Sequence, residues 1–311
     1  MNSIIRRLGA GLIAGTMAVL LAACGSGSPT TTTGAADKKL LVVTTTTQLA
    51  DFVRTIGGDH VEVYGIGKPN VDPHDYEPTP ADITQIAHAD LVVKNGVGLE
   101  KWFDSTVNNN ADEHTAVVDS SVGISLRQQT PTAKTPDPHI WQSLVNAKIM
   151  VANISQALQT AAPQHKDDFV LAERAYDAQI DSTTFDIQQS IASLVNRKIV
   201  TDHDALGYFI DEFGLQYVGS VIPSFDSSSD LSTAQVNDLV AKVKAQGVKA
   251  VFAEQSLPAR AVETLASEAN VKVVEGPDAI YSDTLGPSGS DADTYLKMMR
   301  HNTDVIVNAL R

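Results

Sequence analysis

The chain has 311 residues, with 37 Asp and Glu against 23 Lys and Arg, a formal net charge of −14, and one cysteine. That balance disfavours nucleic acid, whose binding needs basic residues that release counterions, and a single thiol excludes an internal disulfide framework. An acidic surface modestly concentrates divalent cations, although solubility outside a cell accounts for most of the charge equally well.

Arg6 and Arg7 precede an apolar run over residues 8–20, followed by Leu21-Ala22-Ala23-Cys24. This is the anatomy of a signal peptide over residues 1–23, too short for a stable membrane span. Because the cysteine stands directly after the small pair, the segment resembles a lipoprotein signal. The resemblance implies cleavage before Cys24, acylation of its sulfur and a lipid anchor on the extracytoplasmic face of the cell membrane. Residues 24–38 are mostly Gly, Ser, Thr, Pro and Ala. With no apolar groups to offset the entropy of ordering, they are expected to form a flexible tether.

About 270 residues remain, more than one core usually holds, so two lobes are expected. Strand-like runs at 40–43, 61–64, 91–93 and 116–118 alternate with helical patterns at 49–56 and 81–89. The second half repeats the scheme, with strands at 198–201, 216–221, 248–253 and 271–274 and helices at 234–246 and 260–269. Such alternation predicts an α/β fold of two lobes, each a largely parallel sheet flanked by helices. Thr79-Pro80-Ala81-Asp82 and Ser232-Thr233-Ala234-Gln235 read as capped helix starts. Between the halves, residues 163–194 lack glycine and carry Phe169, Ala172, Tyr176, Ile180, Phe185, Ile187, Ile191 and Leu194 at mostly helical spacings. One long, rigid linking helix is expected there, despite the poor helix formers Asp181-Ser182-Thr183-Thr184. The boundaries are then an N-terminal lobe over 39–162, a linking helix over 163–195 and a C-terminal lobe over 196–311.

His74, His139 and His203 fall where loops meet elements, each with an acidic neighbour. Alone, His74 reads as a solvated loop histidine; together, three imidazoles and one oxygen ligand complete a tetrahedral shell for zinc or a first-row neighbour. Asp283 is the fourth candidate, although its surroundings also read as a solvated loop. Asp72, Asp75 and Glu77 beside His74 are candidates either to ligate or to orient its far ring nitrogen, and Asp202 and Asp204 to orient His203. Asp137 and Pro138 read as the cap and first turn of a helix carrying Ile140, Trp141 and Leu144, with Trp141 as an apolar anchor. His60, His88, His114, His165 and His301 read as structural or solvated. Each ligating imidazole must be neutral, so metal affinity should fall as pH drops through roughly 6.5.

Four segments carry a family resemblance: the run from Val71 to Asp82 around His74, Asp137-Pro138-His139-Ile140-Trp141, the run from Thr201 to Tyr208 around His203, and Tyr281-Ser282-Asp283-Thr284-Leu285. In this order they resemble the ligand motifs of the zinc/manganese solute-binding lipoproteins of ABC importers, and Ala253-Glu254-Gln255 is similar to a further stretch near that family's site. The resemblance implies a cleft between the lobes that holds the ion, with His74 and His139 from the first lobe, His203 and Asp283 from the second, and Glu254 close by. It also implies capture of the metal and delivery to a membrane permease, by a monomer that is not an enzyme. Members usually continue the second motif with Leu-Asp-Pro, where this chain runs Trp141-Gln142-Ser143-Leu144. The histidine-rich loop of zinc-type members is absent from residues 120–136, and manganese-type members usually place an acidic residue where this chain has His203. Three imidazoles and a carboxylate favour Zn2+, with Mn2+ or Fe2+ as alternatives. The competing classes are a zinc enzyme with three histidines and a water, and an adhesin or scaffold with a secondary metal site.

Overall fold

The computed structural model describes residues 38–311 apart from 113, 129–134 and 230–231. The leader, Cys24 and all but the last residue of the tether lie outside the described residues. Among the described residues, no helix is long and apolar enough to cross a membrane.

Strands β1 (Leu40–Thr44), β2 (Val61–Gly65), β3 (Leu91–Lys94) and β4 (Ala116–Asp119) form a parallel sheet in the order β2-β1-β3-β4. Helices α1 (Thr47–Gly57), α2 (Pro80–His88), α3 (Phe103–Asn110) and α4 (Leu144–Ala161) cover it. Neighbouring strand residues point to opposite faces, and both faces are dry. Val42, Leu91 and Val93 enter a core shared with α1 and α4, whereas Val43 and Val92 meet Ile86 of α2 and Phe103 of α3. The capping box at α2 forms as the sequence predicts: Thr79 Oγ1 accepts from the Asp82 N–H, and Asp82 accepts from the Thr79 N–H at 2.7 Å.

After the linking helix α5 (Lys166–Ala192), strands β5 (Lys198–His203), β6 (Gln216–Ile222), β7 (Ala250–Phe252) and β8 (Lys272–Val274) repeat the plan in the order β6-β5-β7-β8. Helices α6 (Gly207–Phe213), α7 (Thr233–Gln246), α8 (Arg260–Ala269) and α9 (Tyr295–Leu310) accompany it. Val200 and Val251 enter a core with α7 and α8, while Ile199, Ala250 and Phe252 join the core that began in the first lobe. In both sheets the first and third strands are central, with the second strand crossing out to one side. The crevice beyond their C-terminal ends is where open α/β sheets place sites.

Helix α5 is continuous for 27 residues, about 40 Å. It passes through the run of poor helix formers, where Thr183 and Thr184 donate their hydroxyls to the carbonyls of Gln179 and Ile180, at 2.8 and 2.9 Å, because Ile180, Thr183 and Ile187 are held by burial. Phe169, Tyr176, Ile180, Thr183, Ile187 and Ile191 form its buried stripe. Phe185, expected on that stripe, is instead 60% exposed and faces solvent. The helix also begins three residues later than expected, after a 3-10 turn over Pro163–His165. Helix α9, which no sequence pattern flagged, packs along α5 and reaches α1 in the first lobe. Its first N–H, from Tyr295, donates to Asp51 of α1 at 2.8 Å, and the Tyr295 ring lies edge-on to Phe52.

Candidate metal centre

The donor atoms of His74, His139, His203 and Asp283 all lie within 4.8 Å of one another, and all four residues are buried. His139 Nε2 is 3.2 Å from His74 Nε2 and 3.3 Å from His203 Nε2. The Asp283 oxygens lie 3.4, 3.5 and 3.9 Å from the Nε2 atoms of His203, His139 and His74. Metal–ligand bonds of 2.0–2.1 Å in a tetrahedron give edges of about 3.3 Å. The cluster therefore already has nearly the dimensions of a metal shell.

Each ligand candidate is set by its own element. His203 ends β5; Glu254, just beyond β7, accepts both its backbone N–H, at 3.0 Å, and its Nδ1–H, at 2.9 Å. Glu254 Oε2 in turn receives the Ser282 hydroxyl. Asp137 Oδ1 does the same for His139, accepting its backbone N–H at 3.0 Å and Nδ1–H at 2.8 Å. With Nδ1 of both rings committed as donors, their Nε2 lone pairs face the common centre. His74 lies in the loop between β2 and α2, where Asp72 Oδ1 accepts its backbone N–H at 2.9 Å and Asp72 Oδ2 accepts from Ser227 across the lobes.

The Asp283 loop follows β8 and is stitched to the first lobe. Trp141 Nε1–H and Gln142 Nε2–H donate to the Ser282 carbonyl at 2.8 and 2.6 Å, and Gln48 donates to the Asp283 carbonyl at 3.0 Å. Thr47 accepts from the Leu285 N–H, and Thr284 accepts from the Asn70 N–H. The residues at which the chain departs from the family's second motif thus carry part of the grip on Asp283. Both Asp283 carboxylate oxygens remain without a hydrogen-bond partner although the side chain is fully buried. An orphaned buried carboxylate is costly in a folded protein, and a cation among the four donors would remove that cost.

Electrostatics point the same way. Burial, followed by charge on His139 and His203, holds His74 down to about 3. Burial and His203 hold His139 well below the usual imidazole range. Burial opposes charge on His203 as well, but the carboxylates of Glu254 and Asp283 outweigh it and raise that group to about 10. Burial also lifts Asp283, to about 8, against the pull of His203. His203 and Asp283 therefore both tend to hold a proton, which competes with an incoming cation.

Several expected orienting residues act differently. Asp75 and Glu77 are exposed and, among the described residues, hydrogen-bond no imidazole of the centre. Asp202 is buried, pushed up to about 7 by burial and by Glu254, and contacts neither His203 ring nitrogen within hydrogen-bond reach; Glu254 fills that role. Asp204 faces Arg127 instead. Asp137 is not a helix cap, because α4 starts at Leu144 with Ser143 capping the Asn146 N–H; its carboxylate serves His139. Trp141 packs as expected but also donates its indole N–H.

Arg127 was not singled out by the sequence. Its Nη1 donates to Asp137 Oδ2 at 3.0 Å and lies 3.6 Å from Asp204, its Nε donates to Asp211 at 3.2 Å, and its backbone N–H donates to Tyr208 at 3.0 Å. It joins the residue that orients His139 to the segment following His203. A Cβ on Gly207 would sit 2.1 Å from this guanidinium, so a larger residue there would displace it from its carboxylates. Nothing in the spacing of Arg127 announces this role, since two of its three carboxylate partners, Asp204 and Asp211, come from a segment far along the chain. Glu100 is a second such case: its buried carboxylate takes the Thr45 hydroxyl and the Asn95 N–H, while Asn95 Nδ2 supports the Pro138 carbonyl.

Two parallel-sheet lobes on a linking helix, with three histidines and an aspartate gathered at the strand ends between them, define a two-lobed binding protein whose centre can take a metal ion. The ZnuA family profile, "Zinc-uptake complex component A periplasmic", matches residues 42–309, and the chain belongs to that family. It is 30% identical to the manganese ABC transporter substrate-binding lipoprotein PsaA of Streptococcus pneumoniae, over 98% of this chain and 99% of the relative. It is 32% identical to the zinc-binding protein TroA of Treponema pallidum, over 84% and 86%. The solved structure of TroA superposes with a TM-score of 0.82 at 30% identity, covering 88% of this chain and 99% of that one. A manganese-bound periplasmic metal-binding protein of Candidatus Liberibacter asiaticus gives 0.80 at 26% identity, covering 88% and 100%. These relatives are named as binding proteins, PsaA among them as the substrate-binding part of an ABC transporter, and not as enzymes.

Proposed function

We propose that the protein captures one divalent transition-metal ion, Zn2+ in the first place, through His74, His139, His203 and Asp283, and delivers it to an ABC permease. The observation that carries this reading is the Asp283 carboxylate, buried without a hydrogen-bond partner and 3.4–3.9 Å from three imidazole nitrogens. Three nitrogen donors in a near-tetrahedral arrangement favour zinc over manganese or iron, which accept more oxygen-rich and more open shells. Relatives named for each of zinc and manganese make a divalent metal the common denominator. The domain assignment proposed with it is a first lobe over 39–162, a linker over 163–195 and a second lobe over 196–311. Cleavage before Cys24 and acylation of its sulfur would anchor a monomer on the extracytoplasmic face of the membrane, next to its permease.

The test is competition. The untagged, metal-stripped protein is titrated with Zn2+ and with Mn2+ against a chromophoric chelator. One tight zinc per chain, retained in native mass spectrometry and not displaced by equal manganese, is the expected result. A chain that retains no metal would sink the reading, and a preference for manganese would correct the cargo.

A further inference from the structure

A second cluster of potential ligands lies away from this centre. His60 closes the 3-10 turn Gly58–His60 before β2, while His165 and Asp168 belong to the head of α5. One donor atom from each of the three lies within 4.8 Å of the others. His60 Nε2 is 3.1 Å from Asp168 Oδ2, and the His60 and His165 rings stack with centroids 3.7 Å apart at 17°. Both imidazoles stand edge-on to Phe169, a fully buried ring that gives them an apolar wall. His60 precedes β2, and the His74 loop follows it. The cluster is therefore at the opposite pole of the first sheet from the candidate metal centre, at least a strand's length away, roughly 15 Å.

We infer that His60, His165 and Asp168 form a second, peripheral site for a borderline transition-metal ion such as Zn2+ or Cu2+. Two imidazoles and a carboxylate are the donor set such ions take, with water completing the shell. Donors up to 4.8 Å apart must close towards the edge of about 3.3 Å that zinc bonds require. Nearly parallel rings must also tilt before their lone pairs meet at one point. Both rings are only partly buried, which leaves room for that rotation. The cation would also stand at a helix N-terminus, where the dipole opposes it, although Asp167 and Asp168 in the first turn offset this. Rearrangement, exposure and dipole together make the site weaker than the buried one, filled only after it. An ion there would tie the head of the linking helix to the turn that leads into β2.

The full mature chain, without a histidine tag, is titrated with Zn2+ and followed by native mass spectrometry, alongside the His60→Gln/His165→Gln double variant. The expected result is two zinc ions per wild-type chain, with only the weaker one lost in the double variant. A Cu2+ titration of protein preloaded with one zinc should show, by electron paramagnetic resonance, two-nitrogen coupling that the double variant lacks. No second ion up to about 100 µM free zinc would overturn the inference, as would a second ion that persists in the double variant. Should the tight ion be absent and the weaker one present, the reading of the buried centre fails while this one stands.

Discussion

Replacing Glu254 with glutamine removes a charge while keeping a shape. The carboxylate is 2% exposed, and Oε1 already holds two N–H groups of His203 while Oε2 takes the Ser282 hydroxyl. An amide oxygen can keep the first pair, and the Ser282 hydroxyl can rotate to accept from the amide nitrogen. Two effects of opposite sign follow. A less polarised His203 is a poorer ligand, and loss of such an orienting partner costs about 10- to 100-fold in metal affinity, or about 1.4–2.8 kcal/mol. The proton that competes with the metal is also held less firmly. In the wild type Glu254 is the leading cause that raises His203 to about 10, so at pH 7 a proton on that ring competes with zinc and lowers its apparent affinity. The variant should recover part of this, as His203 falls towards its ordinary value of about 6.5.

The sign sets the pH dependence. A raised value means the protonated ring dominates below about 10 and is lost as pH rises through it, so metal affinity grows with pH. Wild-type zinc affinity, measured by chelator competition, should climb about tenfold per unit towards pH 9 and more steeply near pH 7, where Asp283 also sheds a proton. Glu254→Gln should give a shallower slope, so that its affinity relative to wild type falls from pH 7 to pH 9. Calorimetry in buffers of different ionisation enthalpy should show fewer protons released per ion in the variant. Parallel slopes with equal proton release would refute the electrostatic coupling and leave Glu254 only a geometric role.

Asp283→Ala should leave a three-histidine shell completed by water, weakening zinc by more than about 100-fold, since a direct ligand should matter at least as much as an orienting partner; His139→Ala should be at least as damaging, and equal affinity of Asp283→Ala and wild type would remove the aspartate from the shell. Arg127→Ala leaves Asp137 and Asp204 buried without their cation and should cost about 2–3 kcal/mol of stability in chemical denaturation. Arg127→Lys should restore only part of this, because one ammonium cannot reach three carboxylates as a guanidinium fork does; full rescue by lysine would argue against it. Hydrogen exchange should find residues 66–79, the His74 loop, the least protected part of the metal-free centre and the part that gains most on adding zinc. Uniform protection throughout the centre would contradict this.

The sequence carried the alternating sheets and the candidate ligands because both follow local rules. Strand faces alternate along Val42 and Val43, and Thr79 and Asp82 cap α2 through atoms three residues apart. His139 and its carboxylate Asp137 are likewise two residues apart. What escaped depends on distance. Asp202 and Asp204 flank His203 in sequence, yet neither reaches its ring, and Glu254, to which only the family resemblance pointed, arrives from just beyond the neighbouring strand, 51 residues on. Arg127 and Glu100 were invisible for the same reason. Helix α9 was missed because its burial is not a simple stripe; Tyr295, Leu296, Met298, Met299, His301 and Asn302 are all buried in its first two turns. The pH window moved too. The roughly 6.5 of an isolated imidazole gives way to about 3 for His74, lowered by burial and then by the neighbouring imidazoles, and about 10 for His203, where carboxylates outweigh burial.

The connections between the lobes constrain how an ion can enter and leave. One apolar core runs from Val42 of β1 through Phe169 and Tyr176 of α5 to Phe252 of β7 and Ile306 of α9. Opening the lobes as rigid bodies would expose part of it at about 25 cal/mol for each Å². It would also break the hydrogen bonds from Gln48, Trp141 and Gln142 to the Asp283 loop. His139, His203 and Asp283 sit on segments held by several such bonds, and all are at most 1% exposed. His74 differs. It is 7% exposed and rides on a loop that holds no helix or strand between Gly65 and Pro80. Two hydrogen bonds tie this loop to the second lobe, from Ser227 to Asp72 and from the Asn70 N–H to Thr284. Loss of His74 would leave two imidazoles and a carboxylate facing water, a weaker shell from which an ion can depart. Movement of this loop costs far less than separating the lobes. Of the four donors, His74 thus rides on the segment with the least regular structure, while the linking helix and shared core hold the elements that carry the other three.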